Sequence, residues 1–412
     1  MQLRSFSLRI LALVVVFGAA LAAWVGAAEA VETRWELRFP DLPDYRTLVC
    51  DLHMHTVFSD GAVWPTVRVD EAWRLGFHAI AITDHVEYQP HKADVPTNHN
   101  RPYELAAGPA RARDILLIRG AEITRDTPPG HFNAVFIEDC ARLDIEDFLG
   151  SIEEANRQGG FVFWNHQGWK GPELGRWLDV HTTIYEKKWL HGMEVCNGEQ
   201  YYPDAHRWAL EKNLAMVANS DIHAPDLNQR STSSAHRTLT LVFAKQRSAT
   251  AIREALFEGR TVIWYKDQLI GRKEWLEKLW EASIVVEPPH QRAANYVMVH
   301  LRNRCEADAV LERAGSAGPP SITIPAGATV LLRVPTAKPK EPVELRYTAA
   351  NWLIAPGEGL PVVLRIAGEK PAVPPAAPPA AQPTAPTISP PAAPLQETPA
   401  PQPAATAPAG AG

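Results

Sequence analysis

Nine side chains of the types that bind metal ions recur along this chain at short and regular spacings. They are His53, His55, Asp60, His85, Glu122, His131, His166, Asp221 and His223. Imidazole nitrogens and carboxylate oxygens are the ligands by which proteins hold divalent transition metals. The order of these residues predicts one metal centre that is assembled from distant parts of the chain.

Most of these residues lie at or near the C-terminal edge of an apolar run that has the length of a buried strand. His53 and His55 are two residues apart, and residues at i and i+2 of a strand share a face, so both imidazoles should point the same way. His131 is the exception, because it begins its run. The runs are residues 48–51, 79–85, 116–124, 130–137, 161–166 and 215–225.

Taken singly, each of these residues has an ordinary explanation. A lone histidine after a strand is usually a hydrogen-bonded core or cap residue, and Asp60 before Gly61 fits a turn. Independent turn and core residues have no reason to be His, Asp and Glu at successive strand ends. In a barrel of parallel strands those ends meet at one mouth, and this is where we expect the metal centre.

The motifs resemble those of the PHP superfamily, the polymerase and histidinol phosphatase metallohydrolases. That family has an HxH pair with a following SDG-like segment, a TDH motif, a bridging Glu, two single histidines and a closing DxH. All are present here over roughly residues 47–265, and residues 248–262 resemble the family's closing helix and strand. The resemblance implies an α/β fold with a distorted (β/α)7 barrel.

The resemblance also implies up to three divalent ions. One would take His53, His55, Glu122 and Asp221, a second Glu122, His131 and His166, and a third Asp60, His85 and His223. Some members have histidine at the position of Asp60, so the third site of this chain would be richer in oxygen ligands than theirs. We expect two or three ions of Mn, Zn or Fe, since mixed histidine and carboxylate ligands suit these metals better than Ca or Mg.

Such a centre is suited to phosphoester hydrolysis. Metal binding lowers the pKa of water from about 16 to about 7, and a hydroxide held between two ions that share Glu122 is the expected nucleophile. Glu122, Asp221, Lys170 and His191 are the predicted catalytic residues, with His206 a further candidate for the general acid. The predicted substrate contacts, which lie mostly in long segments near the mouth, are Arg101, Lys170, Asn197 and Tyr201.

The sequence constrains the class of phosphoester less than it constrains the metal centre. A monoesterase binds a dianion with several cations, whereas few Lys or Arg flank the ligand motifs here and the long segments are aromatic. Both features favour a small phosphodiester, and the resemblance points to an exported phosphodiesterase branch of the superfamily. The alternatives are a phosphomonoesterase or cyclic-phosphate hydrolase on the same site, or an exported binding protein without catalysis.

The N-terminus predicts export. Arg4 and Arg9 precede an apolar stretch, and Ala28-Glu29-Ala30 is a small-residue cleavage site, so residues 1–30 are predicted to be a signal peptide. The mature chain should be periplasmic or secreted, with no integral membrane span. The full sequence has a formal net charge of −6 and lacks a basic run, so no nucleic-acid partner is expected.

Composition divides the rest of the chain. Residues 31–284 are predicted to form the barrel and a flanking amphipathic helix, and residues 285–367 have short alternating strands typical of a small β-sandwich. Residues 368–412 are rich in Pro and Ala and are predicted to be disordered. Four cysteines match no zinc motif, and their pairing and the oligomeric state stay open.

Overall fold

The computed structural model describes residues 31–227 and 235–369. The predicted signal peptide at residues 1–30 and residues 370–412 of the predicted tail lie outside the described residues.

The first part of the chain forms an α/β barrel of the predicted PHP type. Adjacent strands β1 and β2, β2 and β3, β5 and β6, and β6 and β8 are parallel. By contrast, β4 runs antiparallel between β3 and β5, and β9 runs antiparallel to β1. The strands are β1 Arg46–Asp51, β2 Ala79–Ile82, β3 Leu116–Thr124, β4 His131–Val135, β5 Phe161–Trp164, β6 Gly192–Asn197, β7 Gln200–Tyr201, β8 Ala215–Asn219, β9 Leu239–Ala244, β10 Thr261–Tyr265 and β11 Gln268–Gly271.

Helices cover the outside of the barrel, so β2, β5, β8, β9 and β10 are buried along their whole lengths. Proline in the first turn begins three helices, and the Asp147 and Ser248 side chains cap two others by accepting backbone N–H bonds. The helices are α1 Pro65–Arg74, α2 Arg101–Ala112, α3 Phe148–Arg157, α4 Asp179–Glu186, α5 Pro203–Glu211, α6 Ala249–Phe257 and α7 Lys273–Ser283, with a 3-10 turn at Cys140–Leu143.

A small β-rich domain follows, as the alternating pattern predicts. One of its sheets contains β15, β16, β18 and β19, and the other contains β12, β13, β14 and β17. Buried and exposed residues alternate along β14 and β19, because one face of each strand packs on the core between the sheets. The strands are β12 Ile284–Val286, β13 Gln291–Ala293, β14 Tyr296–Asn303, β15 Ala309–Arg313, β16 Ser321–Ile324, β17 Thr329–Pro335, β18 Val343–Ala355 and β19 Glu358–Ile366.

The two domains share a sheet and a core. Strand β18 pairs in parallel with β11 through Leu269 and Ile270. The fully buried Trp352 packs edge-on against Trp280 of α7, with ring centroids 5.4 Å apart. None of the helices in residues 31–227 and 235–369 has the length and hydropathy needed to cross a membrane.

His191 lies at the opposite end of the barrel from the C-terminal ends of the parallel strands. Its Nδ1 accepts a 3.0 Å hydrogen bond from the backbone of Val162 at the start of β5, and its ring packs between Phe161 and Phe257. Burial lowers the pKa of this imidazole to about 4. The side chain is therefore a neutral part of the packing at neutral pH.

This burial generates a pH-dependent contribution to stability. The folded pKa of His191 lies below its ordinary value of 6.5, so its contribution is complete above pH 6.5 and is lost as the pH falls towards 4. We expect wild type to lose about 3 kcal/mol more than His191→Asn between pH 7 and pH 4. Urea unfolding of both proteins at the two pH values measures the difference, and parallel pH profiles would contradict it.

Candidate metal centre

The predicted ligands come together at one end of the barrel because of where each strand ends. His53 and His55 follow β1, His85 follows β2 and His166 follows β5. Glu122 lies inside β3, where its backbone forms a bridge with that of His85. Asp221 and His223 follow β8, and Met54 pairs with Ile222, which brings the HxH and DxH segments side by side.

The reversed direction of β4 explains the position of His131. This residue begins its strand, whereas the other strand-borne ligands lie at or near the ends of theirs. Because β4 is antiparallel to both β3 and β5, its first residue lies at the edge where β5 ends. His131 thus reaches the same mouth as His166.

Four ligand atoms converge in the most buried part of the cluster. His53 Nε2 and His55 Nε2 are 3.1 Å apart, and each is 3.3 Å from Glu122 Oε2. Asp221 Oδ1 lies 3.2 Å from the first nitrogen and 3.0 Å from the second. The ligand atoms of His53, His55 and Glu122 lie within 4.8 Å of one another, as ligands of one divalent cation do, and Asp221 forms a second such group with His53 and His166.

One buried atom supports this interpretation. Apart from its ion-pair contacts with the His53 and His55 imidazoles, the buried Asp221 Oδ1 has no hydrogen-bond partner among the described residues. A buried polar atom without a partner costs about 1–3 kcal/mol. His53 Nδ1 lies 3.1 Å from the Glu194 carboxylate, so the other ring nitrogen, Nε2, is the one that faces the cluster.

Glu122 connects two groups of ligands through its two oxygens. Oε2 faces His53 and His55, whereas Oε1 lies 2.9 Å from His131 Nδ1 and 3.5 Å from His166 Nε2. Asn165 donates a 3.0 Å hydrogen bond to Oε1 and fixes the carboxylate. This geometry suits a bridge between two cations.

Asp60 gathers a third group closer to solvent. Its Oδ1 lies 3.2 Å from His223 Nε2 and 3.5 Å from His85 Nε2. His55 Nδ1 is 3.7 Å from the same oxygen, so His55 faces both this group and the buried one. His223 has a 38% exposed side chain and lies at the rim.

The electrostatics of the cluster favour added positive charge. Burial opposes ionisation of Glu122, but His85 and His53 outweigh it and hold the pKa of the carboxyl well below its usual range. Burial likewise opposes protonation of His55, yet Asp221 and Glu122 raise its pKa to about 10. Ionised carboxylates that are buried beside imidazoles, as here, are the groups that hold divalent cations in proteins.

Two further carboxylates hold the ligand-bearing segments. Glu194 of β6 contacts His53 Nδ1 and accepts hydrogen bonds from the His166 backbone at 3.0 Å and Asn219 at 2.9 Å. Asp84 accepts bonds from Thr56 and Ser59 and shapes the loop before Asp60. Sequence reasoning missed Glu194, although it lies in an apolar strand run, as Glu122 does.

Two clefts open from the cluster, and both are lined by Asp60, His85, His131 and Trp169. The first has a volume of about 450 Å³ and continues along Asn197, Gln200 and Tyr202. The second has a volume of about 640 Å³ and continues along Tyr88, Arg125 and Lys170. Trp169 packs against His131 and His166, with centroids 5.7 and 5.6 Å apart, and forms a wall common to both clefts.

Two of the predicted substrate contacts lie at the clefts. Asn197 lines the first and donates to Glu194 Oε2 at 2.9 Å and to Asp221 Oδ2 at 3.2 Å. Lys170 lines the second, with Nζ 4.8 Å from the Trp169 ring and 3.9 Å from Asp126.

The other predicted contacts point elsewhere. Arg101 is exposed in the first turn of α2 and pairs with Glu104 at 3.0 Å. Tyr201 bonds His206 at 2.9 Å, and the neighbouring Tyr202 lines the first cleft instead. The positions of His191 and His206 do not support the general-acid role predicted for them, since His191 packs at the far end of the barrel and His206 is buried against Tyr201.

Comparisons with known proteins agree with this architecture. A PHP-domain family model matches residues 51–221, and a model described as an Ig-like domain matches residues 284–365. An uncharacterized protein of Methanocaldococcus jannaschii is 38% identical over 186 residues, which cover 43% of this chain and 82% of that protein. A two-domain protein of Bacteroides vulgatus containing a predicted PHP-like metal-dependent phosphoesterase has a crystal structure that matches with a TM-score of 0.78 and 39% identity, over 82% of this chain and 100% of the other. The chain therefore belongs to the PHP-domain family.

Proposed function

We propose that this protein is an exported, metal-dependent phosphodiesterase that acts on small phosphodiesters. Phosphoester hydrolysis is supported by the ligand cluster and by the similarity to the two-domain phosphoesterase of Bacteroides vulgatus. Export is inferred from residues 1–30 of the sequence. The observation that carries the diester assignment is the pair of clefts that meet at the ligand cluster.

The chain contributes ligands, walls and positioning. Glu122 would bridge two ions, with His53, His55 and Asp221 on one side and His131 and His166 on the other. When bound, divalent ions lower the pKa of water and neutralise charge on a phosphoryl group. Trp169 stands beside two of the ligands and divides the space in which two ester arms would lie.

The charges along the clefts favour a diester over a monoester. Of the residues that line the two clefts, Arg125 and Lys170 are the cations of the Lys and Arg type. Arg125 is held by the Glu87 carboxylate and by the Ile145 carbonyl at 2.7 Å. Binding of a dianion would need more unpaired cations than this arrangement offers. A diester carries one negative charge and uses the second cleft for its other arm.

Two alternatives to this proposal remain, and the first of them uses the same site. A phosphomonoesterase or cyclic-phosphate hydrolase would use the same ligands with one cleft filled. A binding protein without catalysis would have no need for all nine ligand residues, and all nine are present.

The diester assignment predicts a substrate preference. We expect kcat/KM for bis(4-nitrophenyl) phosphate to exceed that for 4-nitrophenyl phosphate by about tenfold or more, because filling the second cleft contributes contacts that the monoester lacks. Trp169→Ala should lower the diester value by about tenfold and the monoester value less.

The matched control is Leu174→Ala, which changes an exposed apolar residue of the same segment outside both clefts. Steady-state kinetics with metal-reconstituted protein measure both ratios. Faster monoester turnover would reject the diester assignment in favour of the phosphatase alternative.

The bridging role of Glu122 predicts a coupled loss of metal and activity. Protein stripped with a chelator and reconstituted with Mn, Zn or Fe should regain activity and thermal stability. Each occupied site should add about 4 kcal/mol to the free energy of unfolding when the free metal concentration is about a thousand times the dissociation constant. Glu122→Gln should lower kcat by more than about 100-fold and reduce the stabilisation by added metal.

Glu173→Gln serves as the control, because this exposed carboxylate pairs with Arg176 and lies outside both clefts. Isothermal titration, thermal unfolding and kinetics give the three readouts. Full activity of Glu122→Gln would show that the carboxylate does not bridge the reacting centre.

A further inference from the structure

A buried arginine lies directly beneath the ligand cluster. Arg68 of α1 has no exposed side-chain surface, and its guanidinium donates five hydrogen bonds. The acceptors are the carbonyl oxygens of His55 at 2.9 Å, Ala224 at 2.9 Å, Ile222 at 3.0 Å and His223 at 2.7 Å, and the Glu71 carboxylate at 2.8 Å. A guanidinium has five N–H groups in a planar fork, so this arrangement uses its full donor capacity.

Most of the carbonyls that Arg68 binds belong to the two segments that carry four of the nine predicted ligands, His53 and His55 in one and Asp221 and His223 in the other. His55 closes the HxH pair after β1, and Ile222 and His223 belong to the DxH pair after β8. The segments also bond to each other, since His55 N–H donates to Ile222 O at 3.1 Å and Asp221 N–H donates to His53 O at 2.9 Å. Arg68 joins the same segments from the side of α1.

His223 depends most on this support. Its side chain is the rim ligand with 38% exposure, and its backbone carbonyl is held by Arg68 and by the Ala62 N–H at 2.8 Å. Ala62 lies two residues after Asp60, which shares a ligand group with His223. The Arg68 contacts therefore bear on the spacing between these two ligands.

A buried ion network anchors Arg68 in turn. Glu71 accepts from Arg68 and from Arg237 at 2.7 Å, and its other oxygen accepts from the Asp226 backbone at 2.7 Å. Arg237 also donates to the Asp226 carboxylate at 2.7 Å. Burying such charges is costly, and apolar residues of similar volume often give equal stability. A positional role explains why charged residues occupy this place.

We propose that Arg68 is a positioning residue that sets the His223 end of the metal centre. It acts through the backbone carbonyls of the HxH and DxH segments and touches neither metal nor substrate. Lysine cannot replace it, because an ammonium has three donors and lacks the planar fork. The inference rests on the metal-centre part of the proposed function and does not depend on the ester class.

The test measures metal binding without substrate. Apo full-length mature protein is titrated with Mn²⁺, and the ion assigned to the rim is the one whose affinity falls in His223→Ala. We expect Arg68→Lys to weaken this ion by about 10- to 100-fold, the range found for residues that orient metal ligands. In the same Arg68→Lys variant, the ion whose binding Glu122→Gln weakens most should lose less affinity than the rim ion.

Arg260→Lys is the matched control. Arg260 is also buried, with its Nε on the Phe243 carbonyl at 3.0 Å, but its contacts lie away from the ligand segments. Glu71→Gln provides a milder change, because it keeps Arg68 and weakens its anchor, and it should shift the same ion in the same direction. If Arg68→Lys does not fold, the affinity of Glu71→Gln for the rim ion tests the proposal instead.

The outcomes separate positioning from simple stability. Loss of affinity for the rim ion in Arg68→Lys and Glu71→Gln, with Arg260→Lys unchanged, would support the role. Wild-type metal affinity in folded Arg68→Lys, or the same loss in Arg260→Lys, would overturn it, as would a His223→Ala variant that weakens no ion. Because no ester is present, none of these results bears on whether the substrate is a diester.

Discussion

The fold at this end of the barrel depends on one buried carboxylate, Glu122. Its side chain has no exposed surface and lies among imidazoles contributed by several strand ends. A charge at that depth is tolerable only if neighbouring groups or ions compensate it. The barrel supplies this compensation by ending its strands on histidines, and each oxygen of Glu122 faces a different set. Stability and the capacity to bind cations thus have a common physical origin.

Strand direction decides which side chains can reach this carboxylate. The C-terminal ends of parallel strands meet at one mouth, and β4 delivers His131 to that mouth because it runs the other way. His191 shows the converse, since it precedes β6 and lies at the far end despite its proximity in sequence to mouth residues. Residue type and sequence distance alone therefore do not identify members of the site.

The strand-end pattern made the fold class and the candidate ligands predictable from sequence, because a histidine or carboxylate after an apolar run is a local signal. Other features depend on three-dimensional detail. Tyr201 ends β7 and Tyr202 follows it with an extended backbone, and successive residues of an extended chain face opposite sides, so a shift of one residue selects the wrong tyrosine. Arg68 in an amphipathic helix looks like an ordinary surface cation until the packing shows its acceptors are backbone carbonyls. Glu194 carried a signal like that of Glu122, but its role emerges only from its contact with His53.

Exposure is graded across the cluster. His53 and His55 are fully buried, Asp221 has an 18% exposed side chain, and His223 reaches 38%. The buried end is held by strand pairing and by hydrogen bonds from β6 and β8. The rim must stay open for a substrate to enter through the clefts, so packing against neighbours cannot fix it to the same degree. The Arg68 guanidinium holds the backbone of the rim segment and occupies no space in the clefts. The position of His223 can therefore be defined while the mouth of the barrel stays open.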